Sequence, residues 1–217
     1  MVGLRAVVFA PDNHYWTSHM KFHNAILCVF ALAPLHLHAQ EEASDSRNRA
    51  IASIEAHAIF DETFTCSQHP AGQLRSVGDD LGQDCVIEKM IDTDGRLFPR
   101  TFQNDGYRNE DWYGWDKPML SPCDCSVLAV RVNPVTNEPG KHGQPPASFI
   151  LLMRADGTKF LLAHVKDPTV TKDQRVSAGE VIAKVGNNGY GRSPHIHIGA
   201  WKDKDALQIR WDLKTTK

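Results

Sequence analysis

Two histidines stand one residue apart in Ser193-Pro194-His195-Ile196-His197-Ile198. In an extended strand alternate side chains share a face, so His195 and His197 point one way and Ile196 and Ile198 the other. The isoleucine face belongs in a core, which turns both imidazoles to the opposite side. Zinc takes imidazole nitrogen readily, and a catalytic zinc site keeps one position open for water. A third histidine, His164, closes the apolar run Lys159-Phe160-Leu161-Leu162-Ala163. A single strand histidine is ordinarily a half-exposed polar residue. The pair makes this segment a candidate zinc site, and spacing by itself goes no further. His57 falls in a stretch read as helix, and His69 and His142 in loops.

The elements that must hold these histidines read as short strands. Ser148 to Met153 and Lys159 to His164 flank Asp156-Gly157, a hairpin signal. Cys85 to Ile91, Val127 to Val132, Val181 to Val185 and His195 to Ile198 are further strands. Residues 133–146, with Pro134, Pro139, Gly140, Gly143, Pro145 and Pro146, form a long loop. Ile51, Ile54, Ala58 and Ile59 recur at three- and four-residue spacing, which predicts a helix over 41–60. Residues 61–84 are polar and Gly-containing and read as loop. The expected fold class is mostly β: an antiparallel β-sandwich or barrel-like core of short strands with a short N-terminal helix.

Residues 118–201 resemble the lysostaphin-type zinc metallopeptidases, the LytM-domain peptidoglycan endopeptidases. Four segments carry the resemblance: Lys117 to Val127 (Lys-Pro-Met-Leu-Ser-Pro-Cys-Asp-Cys-Ser-Val), Leu161-Leu162-Ala163-His164-Val165, Val176 to Gly189, and Ser193 to Ile198. The block Gly186-Asn187-Asn188-Gly189 followed by Pro194-His195-Ile196-His197 is the most specific. The resemblance implies His197 as a zinc ligand, His195 beside the reacting water and His164 as its catalytic partner. The family takes its other two ligands from an HxxxD motif upstream of the Pro118 segment, and here the chain departs. It has no histidine between His69 and His142. Asp111 is the expected aspartate ligand, with Tyr107 in the histidine slot and Asp105, Asn109, Glu110 and Asp116 as nearby oxygen donors. Cys125 replaces a turn glycine. Asn187 and Asn188 are read as turn residues, and Trp112, Tyr113, Trp115 and Tyr190 as packing aromatics near a groove.

The implied activity is metal-activated hydrolysis of peptide bonds in peptidoglycan cross-links, with zinc as cofactor and peptidoglycan peptides as substrate. The absent ligand histidine supports an alternative, an inactive LytM-like module that regulates cell-wall hydrolases, with a cell-wall amidase as partner. A glycan- or small-molecule-binding sandwich protein without metal is a third reading.

The chain of 217 residues carries 24 Lys+Arg against 26 Asp+Glu, a formal charge of −2, and has no basic run to bind nucleic acid. The apolar run Ala25 to Leu35 is too short to span a membrane and has the length of a secretory signal core. Ala39 supplies a cleavage position, and Met20 reads as the start. The expected organisation is therefore 1–39 extension plus signal peptide, 40–84 helix-and-loop accessory segment and 85–217 LytM-like domain, periplasmic or secreted, with no membrane anchor after cleavage. Of the five cysteines, Cys28 leaves with the signal. Cys66, Cys85, Cys123 and Cys125 remain for an oxidising compartment, with connectivity open. Cys66–Cys85 would close a local loop, whereas Cys123 and Cys125, one residue apart on a strand, are poorly placed to bond each other.

Overall fold

The structure, a computed structural model, describes residues 50–74 and 76–215. The expected signal and the first part of the expected helix lie outside these residues. The described chain forms β1 Ser53–His57, β2 Phe64–Gln68, β3 Gln83–Ile87, β4 Lys89–Thr93, β5 Arg96–Arg100, β6 Pro118–Leu120, β7 Cys125–Arg131, β8 Phe149–Met153, β9 Lys159–Ala163, β10 Val165–Lys166, β11 Arg175–Val176, β12 Val181–Val185, β13 Ile196–Lys202 and β14 Asp205–Asp212. A large sheet runs β1-β14-β13-β9-β8-β7-β11, and β3, with β2 beside it, joins it along β13. A small sheet runs β10-β12-β6, and β4 and β5 form a separate hairpin.

The expected hairpin forms as β8 and β9, with Gly157 taking the positive φ of 85° at its turn. Its strands alternate in burial: Ile150, Leu152, Phe160 and Leu162 are fully buried. Ile196, Ile198 and Ala200 of β13 enter the same core, as do Met119, Ile182 and Val185 of the small sheet. Each such aliphatic side chain contributes about 1.5–3 kcal/mol on burial. That burial fixes which way β13 faces, and so fixes His197 and Gly199 on the opposite row.

The N-terminal region corrects the sequence reading. Over the described part of 41–60 no helix forms; Ser53–His57 is a strand paired in parallel with β14. Ile54, Ala56 and Ala58 share one face, the period of a strand rather than a helix, and Ala56 and Ala58 are buried. The segment 61–84 is not loop throughout, since it contains β2 and the start of β3, which pair antiparallel. Cys66 stands opposite Cys85 in that pair and is disulfide-bonded to it. Cys123 and Cys125 are also bonded to each other, contrary to expectation. They sit on the bend entering β7, where the chain folds enough to bring their Cα atoms to 5.5 Å.

Candidate functional site

Both faces of β13 are buried along Ile196–Ala200, because the segment 78–82 lies over the face opposite the core. Gly199 lets them approach: a Cβ there would overlap the carbonyl of Gly78. His197, only 6% exposed, is enclosed between β13 and this covering segment.

Register delivers the partners. His197 is opposite Asp84 in the β13–β3 pair, and its Nδ1 is 2.8 Å from Asp84 Oδ1. Asp84 is in turn opposite Ser67 in β2, so His69, just beyond the end of β2, lies beside it. His69 Nε2 is 3.4 Å from Asp84 Oδ2. Among the described residues, His69, Asp84 and His197 are the group whose ligand atoms gather closely enough for a metal, all within 4.8 Å of one another. His195 Nε2 is 3.9 Å from Asp84 Oδ1, and the His164 and His195 rings lie 4.4 Å apart. His164 takes a φ of 63°, in the left-handed region, between β9 and β10.

Backbone carbonyls set the tautomers, because a carbonyl only accepts. His164 Nδ1 donates to Asn188 O at 2.7 Å, His195 Nδ1 to Ser193 O at 2.7 Å, and His69 Nδ1 to Asp79 O at 3.0 Å. His69 and His195 thereby turn Nε2 toward Asp84, and His164 keeps its Nε2 free of that carbonyl bond. His197 is reversed: Nε2 donates to Gly78 O at 3.0 Å and lies 3.3 Å from Asp79 Oδ1, so Nδ1 faces Asp84.

The electrostatics separate His164 and His195 from His197. Burial, with the neighbouring His195 charge, pushes His164 down to about 4. Burial also depresses His195. Both are therefore neutral at pH 7 and able to accept a proton. Burial opposes charge on His197 as well, but hydrogen bonds to Asp79 and Asp84 outweigh it and hold its pKa up to about 10. Burial of Asp84 is likewise outweighed, by the His197 hydrogen bond and the surrounding histidines, which hold its carboxyl well below the usual range.

Three of the four expected site residues, His164, His195 and His197, come together. Asp111 does not join them. It ends a short 3-10 turn, Asn109–Asp111, and is buried there. Its carboxylate accepts from Asn104 Nδ2 at 2.7 Å and from the Arg108 amide at 3.3 Å, so its own loop consumes it. Tyr107, in the expected histidine slot, is exposed. The other nearby donors are engaged too: Asp105 caps the Tyr107 amide, Asp116 pairs with Lys166 and Lys184, and Asn109 bonds Asn187 and the Asn137 carbonyl. The carboxylate facing His197 is Asp84, and the second imidazole is His69; sequence reasoning missed both. The signal was there in Cys66 and Cys85, whose pairing sets the register that brings His69 to Asp84. Asn188 is more than a turn residue. It is buried, accepts from Ser148 N, donates to Val165 O and holds His164 by its carbonyl.

Two imidazole nitrogens and one carboxylate, with each imidazole's other nitrogen bonded to the protein, are a donor set that fits zinc with one position left open. Residues 118–209 match the model of peptidase family M23. No curated protein matches the chain. Among solved structures, the SpoIIQ–SpoIIIAH pore-forming complex matches at 20% identity and a TM-score of 0.36, over 47% of this chain and 58% of that one. A zinc-containing peptidase from Vibrio cholerae matches at 17% and 0.35, over 58% and 48%. The catalytic domain of lysostaphin from Staphylococcus simulans matches at 15% and 0.38, over 64% and 79%. The chain thus spans about half the length of the first two. The stretch 118–209 that matches the model of peptidase family M23 contains His164, His195 and His197, so the similarity to that family covers three of the histidines gathered here.

Proposed function

We propose that this protein is a zinc metallopeptidase in which His69, Asp84 and His197 hold the metal, and His164 and His195 carry the proton chemistry. The observation that supports it is the convergence of two imidazoles and a carboxylate beside two further, neutral imidazoles. A zinc ion held there would lower the pKa of water toward about 7 and polarise a scissile amide carbonyl. His195 and His164 each present a free Nε2, because Ser193 and Asn188 hold the other nitrogen. Either Nε2 can accept the proton of the attacking water, and the ring so protonated can then donate it to the departing amine nitrogen. The family resemblance supports a peptide bond of peptidoglycan cross-links as the substrate. The apolar run Ala25 to Leu35 and two disulfides support an exported protein acting in the periplasm or outside the cell. The reading as an inactive regulatory module rested on a missing ligand histidine, and His69 stands beside Asp84 in that role.

The test is zinc content and muropeptide cleavage of the purified protein. We expect one zinc per chain, lost in His197→Ala, and chelator-sensitive hydrolysis. His164→Ala and His195→Ala keep the metal and lower the rate by about 10²–10⁴. A wild-type protein that takes up no zinc overturns the proposal.

A further inference from the structure

We infer that Asp79 is a positioning residue that clamps both imidazole ligands from outside the metal position, an inference resting on the zinc reading above. Its backbone carbonyl accepts from His69 Nδ1 at 3.0 Å. Its carboxylate lies 3.3 Å from His197 Nε2, next to the Gly78 carbonyl at 3.0 Å. One residue therefore bears on the far nitrogen of both rings and leaves His69 Nε2 and His197 Nδ1 turned toward Asp84.

The covering segment is built to hold Asp79 there. Asp79 N and Asp80 N both donate to Ser76 O, and Gly82 N donates to Asp79 O. Gly82 O accepts from His69 N, which closes the segment back onto the end of β2. Leu81 is buried beneath it. Gly82 packs against the His197 ring, since a Cβ there would come within 2.9 Å of His197 Cε1. Gly78 seats on Gly199, where neither residue has a side chain to keep them apart. The segment 76–82, which lies between His69 and Asp84 in sequence, thus returns as their support. Partners on the far nitrogen of a ligating histidine fix its tautomer and orientation and raise its basicity, and losing them typically costs 10- to 100-fold in metal affinity.

The experiment measures zinc affinity of the full chain by competition with a zinc-binding fluorescent chelator. It compares wild type, Asp79→Ala, Asp79→Asn and Asp80→Ala. Asp80 is the control: its carboxylate accepts from Gly72 N and so supports the same segment. We expect Asp79→Ala to bind zinc about 10- to 100-fold more weakly, Asp79→Asn to fall between it and wild type, and Asp80→Ala to match wild type. Melting of the metal-free proteins accompanies each measurement, and the asparagine variant, equal in shape, guards against misfolding. Zinc affinity of both Asp79 variants within threefold of wild type overturns the clamp and leaves the zinc reading standing. An equal loss in Asp80→Ala also overturns it, by assigning the effect to the segment's packing. A wild-type chain that binds no zinc fails at the earlier step and takes the clamp with it.

Discussion

Acidification of the metal-free protein isolates His164. Its folded pKa is pushed down to about 4 from an ordinary 6.5, chiefly because the ring is buried. As pH falls below 6.5 the unfolded chain takes up this proton first, so folding stability declines; the loss is complete once pH passes below the folded value. At about 1.4 kcal/mol per unit the loss is about 3 kcal/mol. His164→Asn removes the titrating group and preserves what the structure needs. Asparagine tolerates the left-handed backbone at this position, where φ is 63°. Its side-chain amide can still donate toward the Asn188 carbonyl, as His164 Nδ1 does. His195 titrates in both proteins, and the acid-side loss from Asp84 lies lower still, so both cancel in the difference. His197, whose pKa is raised, adds stability that is lost only as pH climbs toward 10. The assay is urea denaturation at steps from pH 7 to pH 4 in the presence of a chelator. The wild-type stability should fall by about 3 kcal/mol more than that of His164→Asn over this range. Parallel curves would refute the argument that burial keeps this imidazole neutral.

Three further outcomes are expected. Asp84→Asn loses bound zinc, whereas Asp111→Ala keeps it and instead lowers stability by about 1–3 kcal/mol, because Asn104 and the Arg108 amide lose a buried acceptor; metal analysis and thermal melting separate the two. Replacing Cys66 and Cys85 together by alanine frees a loop of sequence separation 19. That costs about 3 kcal/mol by chain entropy and weakens zinc binding, because the bond ties the ends of the segment bearing His69 and Asp84; denaturation and chelator competition check both parts. Gly199→Ala drives a methyl group into the Gly78 carbonyl, with an overpacking cost of about 1–3 kcal/mol in melting experiments and weaker zinc binding as the covering segment lifts from His197.

Much of the large sheet, and the gathering of His164, His195 and His197, were legible because local patterns determine them. The Asp156-Gly157 turn and the alternation of β8 and β9 fix a hairpin within fifteen or so residues, and Ile196 and Ile198 orient His197 without outside help. β1 was misread because Ile51, Ile54, Ala58 and Ile59 satisfy a helical period while tertiary pairing with β14 decides the outcome. Ile51 is in fact exposed, so one of the four residues behind that period serves no core. The Cys123–Cys125 bond was misread by treating the pair as extended strand, when the bend before β7 shortens the distance between them.

His69 and Asp84 escaped for a different reason. A metal site needs three donor atoms near one point, and sequence spacing is only one route to that. In the HxxxD pattern a single turn of chain brings the two donors together. Here β2 and β3 do so instead: Cys66 faces Cys85, Ser67 faces Asp84 and Gln68 faces Gln83. The disulfide is a sequence-readable statement of that register, and counting three residues on from Cys66 reaches His69. With proximity secured by strand pairing, the intervening chain can be long, since each doubling of a loop adds only about 0.6 kcal/mol of closure entropy. The segment 78–82 of that chain lies on β13, encloses His197 and contributes Gly78 and Asp79 to its far nitrogen. The same segment that separates His69 from Asp84 in sequence is therefore what buries His197.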